Sequence, residues 1–188
     1  MSKTTLKKHL LSLTKEQVIE LVLGLYETSK PAKDYFEYLL VPDEKGQYDK
    51  YRANIIQEFY PNGKGAQPKT RFSVAKKAIA DFRALSPSPE LLGDLMLTLP
   101  EMACEFTNQY GDINEQFYTS AATNFELALK FLQKNNLLEQ FQLRCEQCVT
   151  YSEDCGYGFE DEMTKLYGEY YDIKEQGILV NKIRLSKF

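Results

Sequence analysis

Histidine is almost missing from this chain: His9 is the only one in 188 residues. That scarcity removes most chemistry in which an imidazole activates a serine or cysteine. No Gly-x-Ser-x-Gly elbow occurs, and the Glu-x-x-His pair of a di-metal helical bundle is absent as well. An unrecognised carboxylate-based enzyme is the catalytic class that stays open as an alternative. Long apolar runs are lacking too. The longest are of the kind "LVLGLY" at 21–26, far short of the roughly 20 residues a membrane span requires. In "MSKTTLKKHLLSLTKEQ" the leucines are interrupted by Lys7, Lys8, Ser12 and Lys15, so no continuous signal-peptide core forms. These absences predict a cytoplasmic protein with no membrane partner, whose four cysteines are thiols.

What is present describes a globular chain. The apolar fraction is 43% and the charged fraction 27%, values that exclude disorder as a whole. A chain of this length can bury roughly 70% of its unfolded surface, so no disulfide or metal staple is required.

Helical periodicity dominates. Thr14 and Gln17 form a capping box, and the following helix sets Val18, Leu21, Val22 and Leu25 on one face. Pro31 suits a first helical turn, and "AKDYFEYLLV" turns Tyr35, Phe36 and Leu39 inward until Pro42 stops it. Tyr51, Ile55 and Phe59 follow at four-residue steps. "PNGKGAQPKT" at 61–70 is a loop. Beyond it come the stripe Phe72, Ala75, Ile79, Phe82 and an apolar helix that starts at Ser88-Pro89 and is kinked or split at Pro100. A further stripe, Phe117, Ala121, Phe125, Ala128, Leu132, ends at the turn "KNN". Helices over about 137–153 and 159–172 complete the series.

The expected fold is therefore all-α. About eight helices form antiparallel hairpins, arranged as a compact bundle or a short superhelical stack. The expected organisation is one helical domain over 1–172, with N-terminal helices to 60, a loop at 61–70 and helical hairpins over 71–172. A tail over 173–188 has β character in "GILVNKIRLSKF". Residues 71–153 have the length of two solenoid hairpins. The tetratricopeptide pattern does not fit, because Asn114, Thr123 and Leu127 stand where other residue types are required.

Charge is unevenly spread. Residues 61–85 carry six Lys or Arg against Asp81 alone, and residues 136–172 carry nine acids against Arg144 and Lys165. Lys64, Lys69, Arg71, Lys76 and Lys77 form a candidate contact for an anion or a partner, since a helix start already favours negative charge. The bland alternative is a solvated face neutralised by the protein's own acids. The same loop approaches a P-loop, G-x-x-x-x-G-K-[ST], through Gly63, Lys69 and Thr70. Pro68, however, replaces the second glycine and cannot supply an amide. Tyr157, Tyr167, Tyr170 and Tyr171 in the acidic segment are a candidate partner surface, because tyrosine buries area while keeping a polar tip.

Cys145, Cys148 and Cys155 follow C-x2-C-x6-C. On a helix Leu138, Phe141, Cys145, Cys148, Ser152 and Cys155 make one amphipathic stripe. A continuous helix would put Cys155 about 15 Å from Cys145, too far for one zinc. The cysteines thus read as core, with no metal and no cofactor.

The segments "LKKHLLSLTKEQVIELVLGLY", "KDYFEYLLVP" and "KTRFSVAKKAIADFRAL" resemble a family of small, uncharacterised bacterial proteins classed as a domain of unknown function. The resemblance extends to about residue 170. Its motifs are structural, so it implies no activity and no residue role. The function expected from the residues is a non-enzymatic helical module that binds a protein partner. The alternative is nucleic-acid or phosphate-ligand binding through 64–83.

Overall fold

A computed structural model describes residues 2–171. Among them are nine α-helices: α1 (Lys3–Leu11), α2 (Lys15–Thr28), α3 (Lys30–Leu40), α4 (Glu44–Phe59), α5 (Phe72–Ala84), α6 (Pro89–Tyr110), α7 (Glu115–Lys134), α8 (Leu138–Thr150) and α9 (Phe159–Tyr170). No strand occurs among the described residues, and the all-α expectation holds. The strand or tail expected at 173–188 lies outside them. The chain divides into two compact units, Met1–Lys45 and Gly46–Phe188.

In the first unit the expected capping box is present: the Gln17 amide donates to Thr14 Oγ1 at 3.2 Å, and the Thr14 amide donates to Gln17 Oε1 at 2.9 Å. Ser29 ends α2 and caps α3 at once, so the chain turns between the two helices on a single residue. The Tyr26 hydroxyl donates to Glu37 Oε1 at 3.2 Å, and Lys33 lies over the Tyr26 ring. No side chain of α1, α2 or α3 is buried. Here the inward face expected of α3 is only partly covered, and the apolar face of α2 is largely open. Val18, Tyr26 and Phe36 are half-buried, whereas Leu21, Leu25, Tyr35 and Leu39 are exposed. Three short helices in about 45 residues have too little mass to enclose their own apolar faces.

The second unit has a dense interior. Six consecutive residues of α6, Leu95 to Pro100, are buried. A helix covered on every side must lie at the centre of its unit. The helix is not split at Pro100; it runs unbroken from Pro89 to Tyr110, and the surrounding packing outweighs the lost amide. Gly93 permits a close approach of α7: a Cβ there would lie 2.8 Å from Leu132 Cδ2. The stripe Phe117, Ala121, Phe125, Ala128 and Leu132 is buried as its spacing requires. Phe59 packs edge-on against Phe72 and Phe106, with centroids 5.9 and 6.1 Å away. These aromatic contacts join α4, α5 and α6.

The "KNN" turn is a helix-ending Schellman motif. Asn136 takes φ 57°, the left-handed conformation asparagine tolerates. Its amide reaches the Gln133 carbonyl at 3.1 Å, and the Leu137 amide reaches the Leu132 carbonyl at 2.9 Å. Leu137 is buried beneath the turn. The hairpins α5–α6 and α7–α8 pair 13 with 22 residues and 20 with 13, so the helix lengths do not repeat.

Candidate functional site

The basic segment begins where α4 ends. Glu58, in the last turn of α4, is buried, and the loop to α5 folds over it. The amides of Lys69 and Thr70 donate to the Glu58 carbonyl at 2.9 and 2.8 Å. The Arg71 amide donates to Glu58 Oε2 at 3.2 Å, and the Arg71 guanidinium grips both carboxylate oxygens at 2.9 and 2.7 Å. Thr70 is held at φ 47° to make this turn, an uncommon conformation for a β-branched residue. The hydrogen bonds from Arg71 hold the Glu58 carboxyl below its ordinary range.

An anion does therefore sit at the start of α5, and it is the chain's own carboxylate. Arg71 is the N-cap residue of that helix. Lys77 is also occupied, donating to Asp81 Oδ2 at 2.7 Å. Lys64, Lys69 and Lys76 are exposed and form no ion pair among the described residues. Helix α4 precedes the loop, where a P-loop requires a strand. A groove of about 230 Å³ runs between α4 and α5, with Tyr51, Asn54 and Gln57 on one wall and Val74, Lys77 and Asp81 on the other. The charged groups in it are the same ones that pair with each other or with Arg71.

The four tyrosines do not form one surface. Tyr167 and Tyr171 are buried and stack with centroids 4.5 Å apart. The Tyr167 hydroxyl donates to Glu146 Oε1 at 2.9 Å, and that of Tyr171 to the Leu138 carbonyl at 2.8 Å. Both belong to the four-residue series Phe159, Met163, Tyr167, Tyr171, all of which is buried. Tyr170 is half-buried, and Tyr157 alone is prominently exposed, at 62%. Tyr157 is held at φ 58° in the turn before α9.

Cys104, Cys145 and Cys148 are buried and Cys155 is half-buried, all four as free thiols. Helix α8 stops at Thr150, and Cys155 turns to Thr107, with Sγ 3.7 Å from Oγ1. Burial pushes the Cys145 thiol up to about 12. Cys148 is raised as well, by a hydrogen bond with Cys104 and by burial. Among the described residues no three His, Cys, Asp or Glu side chains are placed to hold a metal ion.

Two charged constellations escape a reading of the sequence. Arg144 of α8 donates to Glu101 Oε1 and Oε2 at 2.6 Å each, and also reaches Asp94 at 3.1 Å. The Tyr48 hydroxyl of α4 donates to the same Asp94 at 2.7 Å. Burial raises the Glu101 carboxyl, and the Arg144 hydrogen bonds oppose that rise. This network joins α4, α6 and α8. The second lies between the ends of α6 and α7. There the Tyr118 hydroxyl donates to Asp112 Oδ1 at 2.5 Å and meets Thr107 Oγ1 at 2.7 Å. Burial and the Asp112 hydrogen bond push Tyr118 up to about 12. Asp112 also accepts from the Gly156 amide at 3.2 Å, fastening the turn before α9. The seven-residue interval from Asp94 to Glu101 marks one helical face, but nothing local in sequence selects Arg144 as their partner.

These features define a fold that is all-helical among the described residues and in which Arg71, Lys77 and Arg144 are paired with carboxylates. The chain belongs to a family of unknown function (DUF6155), which it matches over residues 1–170. No curated protein and no solved structure matches it.

Proposed function

We propose that this chain is a helical protein-interaction module and that the first unit supplies the contact. The observation that carries the reading is the distribution of uncovered apolar side chains. Fifteen large apolar side chains are exposed among the described residues, and eleven of them lie between Leu6 and Val41. Apolar side chains left uncovered in such a concentration along one segment are candidates for contact with a partner. The reading places the protein in the cytoplasm, where four unpaired thiols are stable. No helix among the described residues is long and apolar enough to cross a membrane.

The nucleic-acid or phosphate alternative rests on Lys64, Lys69 and Lys76, because Arg71 and Lys77 are engaged by Glu58 and Asp81. Phosphate neutralisation dominates nucleic-acid affinity at low salt, so three separated lysines make a weak footprint. Affinity capture on the full-length chain compares the two readings. Proteins retained by the native chain should be lost with Leu21→Glu/Leu25→Glu and kept with Lys64→Glu/Lys69→Glu/Lys76→Glu. The opposite pattern transfers the function to the basic loop.

A further inference from the structure

We propose that Cys155, Cys104 and Cys148 form an internal thiol relay, in which peroxide acting on Cys155 leaves a disulfide between Cys104 and Cys148.

The four cysteines collect along one seam of the second unit, where α8 and the turn after it pack on α6. Contacts at successive turns of α6 fix the register. Glu101 meets Arg144 at 2.6 Å. Three residues on, Cys104 is hydrogen-bonded with Cys148, and both are buried. Three residues further, Thr107 Oγ1 lies 3.7 Å from Cys155 Sγ. Along this seam Cys155 is thus about 4.5 Å beyond the Cys104–Cys148 pair, the rise of three helical residues.

Placement gives the thiols separate roles. Cys155 alone is not fully buried, so it is the thiol that a small oxidant reaches. Its own contacts are long sulfur ones, 3.7 Å to Thr107 and 3.8 Å to the Tyr151 carbonyl. The turn that carries it lies between α8 and α9, outside either helix, and a shift of three residues along α6 brings it to Cys104. Cys148 already touches Cys104 and needs no such shift. Cys145 stands aside. Helix neighbours three apart keep their Cβ atoms about 5–6 Å from each other, beyond the roughly 3.5–4.5 Å of a disulfide. Its sulfur also accepts from the Tyr171 hydroxyl at 3.6 Å.

The chemistry balances with one peroxide. The Cys155 sulfur attacks a peroxide oxygen, the O–O bond breaks, and the departing hydroxide takes the thiol proton to leave as water. Cys155 is then a sulfenic acid. The Cys104 sulfur attacks the Cys155 sulfur, and the S–O bond breaks with loss of a second water. The Cys148 sulfur then attacks that of Cys104, and the proton of Cys148 ends on the released Cys155. Two thiols are oxidised, the peroxide is reduced to water, and Cys155 is restored. Disulfides in a reducing compartment are usually transient and redox-sensing, so the pair acts as a reversible, peroxide-responsive link between α6 and α8.

Peptide mapping without reduction tests the relay on the full-length, fully reduced chain. Hydrogen peroxide is added to the folded protein, and N-ethylmaleimide then blocks the remaining thiols in denaturant. The native chain should yield a Cys104–Cys148 link with Cys145 and Cys155 blocked as thiols. Cys155→Ser, shown to be folded by circular dichroism, should slow that link on the order of tenfold. Cys148→Ala should stop at a Cys104–Cys155 link; if alanine unfolds the chain, Cys148→Ser gives the same comparison. Cys155 carried to sulfinic acid with no link in the native chain overturns the proposal. So does a Cys104–Cys148 link that forms as fast in folded Cys155→Ser, or one that forms only when denaturant unfolds the protein.

Discussion

The Arg71 guanidinium donates to both carboxylate oxygens of Glu58, at 2.9 and 2.7 Å, while the Arg71 amide adds a third hydrogen bond to Oε2. The basic loop is therefore closed over an internal anion. Glu58 has a depressed pKa because Arg71 stabilises its charged form. A depressed carboxylate contributes stability that is present above its unfolded value, near 4.5, and lost as pH falls through the folded value. Glu58→Gln should lower Tm at neutral pH by about 2–4 °C and flatten the decline in stability between neutral and acidic pH. A thermal melt series across pH checks both; an unchanged acid limb would show that the contact contributes nothing.

Arg144 and Glu101 form the second bidentate pair, with a guanidinium less exposed than that of Arg71. Removing one partner of a buried pair strands the other charge, at about 3–5 kcal/mol when burial is complete. The Arg144 side chain is 33% exposed, so solvent screening reduces the expected loss for Arg144→Ala to about 2 kcal/mol. A double-mutant cycle with Glu101→Gln should find the two losses far from additive. Additive losses in denaturant unfolding would mean that the pair is uncoupled.

The cysteines should divide by reactivity. Thiolate is the reactive form, and burial holds Cys145 near 12. Cys155, half-buried outside α8, should be alkylated first in the native protein. Cys104, Cys145 and Cys148 should react only as the protein unfolds. Peptide mass mapping after brief iodoacetamide treatment reads the order, and early labelling of Cys145 or Cys148 would contradict the burial.

Gly93 should resist even alanine. Alanine in place of glycine inside a helix ordinarily gains about 1 kcal/mol. Here its Cβ would press on Leu132 Cδ2, and Leu132 is fully buried. Overpacking costs about 1–3 kcal/mol, so Gly93→Ala should leave the protein less stable in urea. A stabilised variant would show that α6 and α7 part easily.

Much of this fold was legible because its signals are local. The Thr14–Gln17 box, the helix stop before Pro42, the Asn135-Asn136 turn and the inward stripe of α7 each follow from spacing and backbone preference within a few residues. The cysteine stripe was legible for the same reason: positions 145 and 148 recur with Phe141 on one face. Tyr167 and Tyr171 share a four-residue spacing with Phe159 and Met163, and that spacing, not tyrosine content, accounts for their burial. The exposure of Leu21 and Leu25 was not legible, because periodicity identifies a face without saying whether enough protein exists to cover it. Glu58 and Arg71 lie 13 residues apart across an irregular loop, and Asp94 and Arg144 lie 50 apart. No local pattern could pair them.

The most direct test of the interaction reading is a photo-crosslinking amino acid placed at Leu25 in the full-length protein inside its native cells. Leu143, 80% exposed on α8, is the control position. The account predicts protein adducts from position 25 that are absent from position 143. Adducts from neither position, or from 143 alone, would contradict it.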